Sequence, residues 1–189
     1  MSNKKPVVLV FAGPNGSGKS TIIQYFEKTG QYTNADDVVA TTGMTNEEAA
    51  KLVDKMRYDS ISKKADFTFE TVLSSNYKLD ILEKAKSEGY FLKCVFVLTV
   101  APVVNVSRVE ARVRSGGHGV DKDKIISRYH KSLANISRLM ELCDILHVYD
   151  NTGDEPVRII RKHKKDVSVF PNNLWTAEKI IELIEGYNY

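Results

Sequence analysis

The sequence predicts an α/β fold, a three-layer sandwich with a mainly parallel sheet and a helical lid, in a single domain over residues 1–189. Three observations lead there. Short runs of β-branched and aromatic residues alternate with helical stretches of ten residues or more, the pattern of right-handed βαβ crossovers. A glycine-rich segment, GPNGSGKS at residues 13–20, joins the first such run to the stretch after it. The chain has 189 residues and is 42% apolar, enough for one core and too short for a second full domain.

Each element has its own signal. Residues 7–12, VVLVFA, are an apolar run ended by Gly-Pro and suit a strand buried on both faces. The loop that follows opens a helix expected over residues 19–28, stopping at Gly30. YTNADDVVA is expected as a short strand ending near Asp36. Residues 45–64 read as a long helix, capped by Thr45 or Asn46, with Glu47 and Glu48 where carboxylates favour the positive helix end. In residues 66–73 Phe67 and Phe69 alternate with polar residues, predicting a strand whose end presents Glu70 and Thr71. A helix over residues 77–88 closes at Gly89, and FLKCVFVLTV at 91–100 is the most strand-like run in the chain. Pro102 starts a helix over 103–114, followed by the loop SGGHGV. Residues 122–142 are predicted helical, 144–149 a strand, 156–170 a strand or ribbon carrying RKHKK, and 175–185 a closing helix.

The pattern GxxxxGK[ST] at residues 13–20 fixes four positions, and a random chain of this length would show it with a chance of roughly 0.5–1%. Its place between a buried strand and a helix lets backbone N–H groups converge on a phosphate. Gly13, Gly16 and Gly18 allow the close backbone approach this needs. Gly13, Pro14, Asn15, Gly16, Ser17, Gly18, Lys19, Ser20 and the adjoining Thr21 are therefore expected to bind the phosphates of ATP or GTP, in a P-loop NTPase fold. Lys19 is expected to reach the β- and γ-phosphates and Ser20 to give a hydroxyl ligand to Mg²⁺.

No apolar strand ending in Asp-Glu, the usual partner of a hydrolytic motor, is present. Instead two carboxylates stand at predicted strand ends, Asp36 in NADD and Glu70 in TFET, facing the crevice that holds ligands in such sheets. One can take the proton of an attacking hydroxyl and the other can bind that acceptor. The bland readings are a helix N-cap before Val38, for which Asp37 is the better candidate than Asp36, and a solvated strand end for Glu70. Arg108, Arg112 and Arg114 precede the glycine-rich loop and Arg128 follows it, as a closing lid over about residues 108–128 requires for charge on a transferred phosphoryl. Arg112 and Arg114 fit equally an exposed helix face with Glu110. Arg112 and Arg128 are assigned to catalysis, Arg114 to ATP, and His118 to the acceptor or its phosphate.

Composition narrows the partners. The 27 Lys and Arg against 24 Asp and Glu leave a net charge of +3, too small to imply nucleic acid, and RKHKK at 161–165 reads as a solvated ribbon face. No apolar stretch approaches the roughly 20 residues of a membrane span, and a short basic start runs straight into the first strand, so a cytoplasmic location is expected, without membrane or nucleic-acid partner. Cys94 and Cys143 lack CxxC spacing and read as reduced core residues. The histidines share no metal-ligand spacing.

With GPNGSGKS, NADD, TFETVLS and RVEARVRSGGHGVDKDKIISRYHKSLANI in this order, the chain resembles the zeta-toxin family of P-loop small-molecule kinases, above all its compact bacterial branch known as predicted ABC-type ATPases. The resemblance covers about residues 7–149. It implies transfer of the γ-phosphoryl of ATP to a hydroxyl, in the better-known members the 3′-hydroxyl of the sugar of UDP-N-acetylglucosamine. By the same resemblance Asp36 is the base, Glu70 and Thr71 contact the acceptor, Lys19 and Ser20 serve ATP and Mg²⁺, and a small helical antitoxin is the protein partner. The rival reading is a regulatory ATPase that changes shape around a protein or nucleic-acid partner.

Overall fold

The computed structural model describes residues 4–117 and 119–188. Its strands are β1 (Val7–Ala12), β2 (Gln31–Thr33), β3 (Phe67–Thr71), β4 (Phe91–Leu98), β5 (Ile145–Asp150), β6 (Val157–His163) and β7 (Asp166–Val169). They form one sheet of order β2-β3-β1-β4-β5-β6-β7. The first five are mutually parallel, as crossover connections demand, and β6 and β7 add an antiparallel hairpin at one edge. The predicted ribbon at 156–170 is that hairpin, turning at Lys164 with φ 56°.

The helices are α1 (Lys19–Ile23), α2 (Ala35–Thr42), α3 (Asn46–Ser62), α4 (Asn76–Ser87), α5 (Pro102–Arg114), α6 (Lys122–Ala134), α7 (Ile136–Leu142) and α8 (Ala177–Glu185). Three of them depart from the sequence expectation. α1 ends at Ile23, five residues early, and the chain turns inward so that Phe26 meets Phe11 and Tyr149 edge-on at 5.8 and 6.4 Å. The stretch expected as a strand to Asp36 is a three-residue strand followed by α2, because the Asn34 side chain accepts from Asp36 N at 3.1 Å and starts a helix there. The long helix expected over 122–142 breaks at Asn135, whose Nδ2 donates to Leu73 O at 2.9 Å. Thr45, by contrast, caps α3 with the full reciprocal box to Glu48.

The two faces of the sheet are covered unequally. On one, Val8, Val10, Phe67, Phe69, Leu92, Phe96, Leu146 and Val148 pack against buried residues of α3, α4, α6, α7 and α8, and both free cysteines are buried there. On the other, Leu9, Phe11, Val95 and Val97 meet only Ile22 and Ile23 of α1, with Phe26 and Tyr149 at the margin. None of the described helices is long and apolar enough to cross a membrane.

Candidate active site

The glycine-rich loop is shaped by groups that the sequence motif does not contain. Asn151, just past β5, donates from Nδ2 to Ser17 O at 2.8 Å. Asn105 of α5, fully buried, donates to Asn15 O at 2.6 Å and accepts from Thr99 Oγ1, while Tyr129 of α6 donates to Thr99 O at 2.7 Å. These braces lie so close that a β-carbon on Gly18 would stand 2.0 Å from Asn151 Nδ2, and one on Gly16 would stand 2.5 Å from Asn105 O. Both glycines also hold left-handed backbone, with φ of 87° and 77°.

Lys19, at the first position of α1, is buried. Its Nζ donates to Gly13 O at 2.8 Å and Pro14 O at 3.2 Å, and lies 3.9 Å from Glu70 Oε1. Burial holds this amine below the usual lysine range; Glu70 and Asp36 oppose the shift and Arg112 adds to it. Glu70, at the end of β3, receives hydrogen bonds on Oε2 from the Tyr32 hydroxyl at 3.2 Å and Asn34 Nδ2 at 3.3 Å. Burial pushes its carboxyl above the usual range, against the pull of Lys19 and Tyr32. Asn34 thus has two duties, capping α2 with Oδ1 and holding Glu70 with Nδ2. Asp36 stands in the first turn of α2, exposed, and its carboxylate makes no hydrogen bond or salt bridge among the described residues.

These groups share one cleft of about 460 Å³. Asn15, Gly16, Gly18, Lys19 and Ser20 form its phosphate-loop wall, and Asn34, Asp36, Glu70, Thr71, Ser74 and Ser75 face them. Arg108, Arg112 and Arg128 line it from α5 and α6. Arg128 Nη1 donates to Asn15 Oδ1 at 3.3 Å, and Arg108 Nη2 donates to Thr152 O at 3.1 Å. Gly13, Pro14 and Ser17 are buried in the loop itself, and Thr21 is exposed and does not line the cleft. Arg114, expected at ATP, is exposed and also outside the lining, because it sits two residues on from Arg112 and two residues turn a helix about 200°. His118 lies outside the described residues.

Sequence reading missed a second cationic wall. Arg57 of α3, 2% exposed, donates from Nε to Thr33 Oγ1 at 3.0 Å, from Nη2 to Thr33 O at 3.3 Å and from Nη1 to Asp54 Oδ1 at 2.8 Å. Its guanidinium lies 4.4 Å over the Phe69 ring, and Lys78 of α4 clasps Asp54 with contacts of 2.6 and 2.7 Å. Arg57 and Lys78 both line the cleft. The i,i+3 spacing of Asp54 and Arg57 was the one available signal, and by itself it reads as a surface pair. Among the described residues no group of three His, Cys, Asp or Glu is placed to hold a metal ion.

Comparison with known proteins adds a family to this geometry. A family model described as Zeta toxin matches residues 31–173, from β2 through the segment after β7. An uncharacterized protein of Haemophilus influenzae is 27% identical over 135 residues, covering 68% of this chain and 94% of that protein. Among solved structures, the AvrRxo1-ORF1:AvrRxo1-ORF2 complex with sulphate ions superposes with a TM-score of 0.69 at 15% identity, covering 96% of this chain and 64% of that one. The same complex with ATP gives 0.68 at 15% identity, with 96% and 64% covered. The PezAT chromosomal toxin-antitoxin system of Streptococcus pneumoniae gives 0.62 at 16% identity, covering 83% of this chain and 73% of that one. At such identities the structural likeness speaks for the fold, and this chain spans less than two thirds of the chain it matches in the AvrRxo1-ORF1:AvrRxo1-ORF2 complex.

Proposed function

The chain belongs to the zeta-toxin family, and from that premise we propose that it is an ATP-dependent kinase that transfers the γ-phosphoryl to a hydroxyl of a small acceptor held in the cleft between α2, β3 and α4. The observation that carries this reading is the pairing of a partnered carboxylate with an unpartnered one beside Lys19. Glu70 is engaged by Tyr32, Asn34 and Lys19 and is suited to hold an acceptor hydroxyl. The Asp36 carboxylate has no hydrogen-bond partner among the described residues and opens on the same cleft, so it is the group left to take the proton of that hydroxyl as it attacks.

The donor side follows from the braced loop. Its backbone N–H groups cradle the phosphates, and Lys19 Nζ exchanges its contacts with Gly13 O and Pro14 O for phosphate oxygens. Arg112 and Arg128 supply positive charge to the transferred group, and the segment between α5 and α6 closes over it as a lid. ATP fits the cradle, whose two left-handed glycines leave no side chain above the backbone. Mg²⁺ would enter with the nucleotide, on the Ser20 hydroxyl at the cleft wall, and would neutralise charge on the phosphates.

For the acceptor we propose a UDP-sugar such as UDP-N-acetylglucosamine, as the resemblance implies; the cations Arg57 and Lys78 on the acceptor wall would face its diphosphate. A toxin role with a small antitoxin partner is supported by the likeness to PezAT, a toxin-antitoxin system. Incubation with labelled ATP and a panel of UDP-sugars, nucleosides and short oligonucleotides tests the reading. Asp36→Asn is expected to lower transfer about 10²–10⁴-fold while leaving ATP affinity unchanged. Normal turnover by that variant would remove Asp36 as the base, and ATP hydrolysis dependent on a protein partner, with no acceptor labelled, would favour a regulatory ATPase.

A further inference from the structure

Away from the cleft, one broad surface of the sheet has no helix packed across it among the described residues. Helix α1 closes the second face over β1 and β4, but across β5, β6 and β7 no helix adds a buried apolar residue to that face. The strand register states which side chains share it. Tyr149 packs at the margin of the α1 cluster, so His147 and Ile145, two and four residues back, project on the same side. Across the hairpin, Arg158 is opposite Tyr149, Arg161 opposite His147 and His163 opposite Ile145. Towards β4, Ile145 is paired with Lys93. The sequence showed RKHKK only as a basic ribbon; the fold sets its Arg161 opposite His147 and its His163 opposite Ile145 on this side.

The surface is cationic, and among the described residues its cations lack acidic partners. Among the described residues neither Arg158, Arg161 nor Lys93 takes part in a salt bridge, and the buried Nε of Arg158 has no hydrogen-bond partner. The Arg158 guanidinium lies over the Phe170 ring at 5.4 Å, and the His147 ring meets Tyr149 edge-on at 6.3 Å. Phe170 is 40% exposed at the free edge. The acid on this face is Asp166, which the register places opposite His163, away from both arginines. Burial and the two neighbouring guanidiniums hold His147 below its usual pKa, as expected where positive charge is uncompensated.

We propose that the open face of β5, β6 and β7 binds a single-stranded nucleic acid, with phosphates on Arg158, Arg161 and Lys93 and bases stacked on Phe170 and His147. A lone small anion does not match the surface, because the cations are spread over neighbouring strands and over rows about 7 Å apart rather than converging on one point. An acidic peptide would satisfy the guanidiniums and leave the rings unused. A flexible strand with a charge and a flat π-face on every unit uses both, which is how open sheets and aromatic platforms hold single strands. The proposal is independent of the kinase reading.

The test is fluorescence anisotropy of labelled RNA and DNA strands of about 12 nucleotides, within the usual site sizes, titrated with the full chain between about 50 and 200 mM salt. Binding is expected, with a slope of log K on log salt of about −0.7 for each phosphate held. Arg161→Ala is expected to reduce that slope by about 0.7, and Arg158→Lys to retain it. Phe170→Ala is expected to weaken binding about tenfold with the slope unchanged. Arg138→Ala, on α7 and away from this face, should bind as the parent does. An unchanged far-ultraviolet circular dichroism spectrum and melting temperature show that each variant is folded. No binding at the low-salt end overturns the proposal. So does an equal loss in Arg138→Ala, an unaffected Phe170→Ala, or displacement by inorganic polyphosphate as effectively as by an unlabelled strand.

Discussion

Glu70 and Asp36 are both carboxylates beside Lys19, and their difference lies in what surrounds each. Burial disfavours the charged form of Glu70 and raises its folded pKa, against the pull of Lys19 and Tyr32. Stability from this group is then present below the ordinary glutamate pKa and declines as pH rises through the folded value. Glu70→Gln is accordingly expected to raise the melting temperature at pH 7.5, with the gain vanishing near pH 4, while transfer falls; melting curves at the two pH values check the sign. At Gly18 the added β-carbon of alanine meets Asn151 Nδ2 at 2.0 Å on a left-handed backbone. Gly18→Ala is expected to lose ATP binding at least tenfold, read by calorimetric titration. The motif announced Gly18, Lys19 and Ser20 because phosphate chemistry restricts those positions to few residue types. Asn151 and Asn105 had no such signature, since an asparagine that braces a loop reads in sequence like any other polar residue.

Among the elements, α2 is the least anchored. It carries Asp36 and has no buried residue, so its cap and its packing on α3 hold it in place. Asn34→Ala removes that cap and one donor to Glu70, at a cost of about 1 kcal/mol to the helix. The loss is expected as faster amide hydrogen exchange over residues 35–42 and a larger fall in transfer than in melting temperature. α3 is the opposite case, tied by Arg57 to the end of β2, to Phe69 and through Asp54 to Lys78. Arg57→Met leaves Asp54 buried with Lys78 alone and is expected to destabilise the fold by about 3 kcal/mol, seen as a lower urea midpoint. The extent of α3 was legible because its cap and its apolar spacing agree. α2 was read only in part, as a strand to Asp36 with a cap at Asp36 or Asp37 before Val38 as the alternative; the cap is Asn34, whose side chain accepts from Asp36 N and starts the helix two residues earlier.

At the scale of the whole molecule, a ligand bound by the folded state alone stabilises it by mass action. ATP at about 100 times its Kd is expected to add about 2.7 kcal/mol, a rise of about 5–10 °C for a chain of this size. Differential scanning fluorimetry should show that rise for the parent and none for Lys19→Ala. The alternation of apolar strands and amphipathic helices was sufficient to predict a mainly parallel sheet, because crossovers of that length have one favoured hand and one way to bury both strand faces. Local chemistry was likewise sufficient for the phosphate loop: glycine where no side chain fits, lysine and serine where a phosphate needs them, all within eight residues. The order of the strands, the cationic wall of Arg57 and Lys78, the braces beneath the loop and the open face beside β6 were decided by the tertiary structure alone. Each of these joins residues 24 to 134 positions apart, or depends on which side of a strand a residue faces, and no short-range pattern in a single sequence encodes a pairing that only closure of the sheet creates.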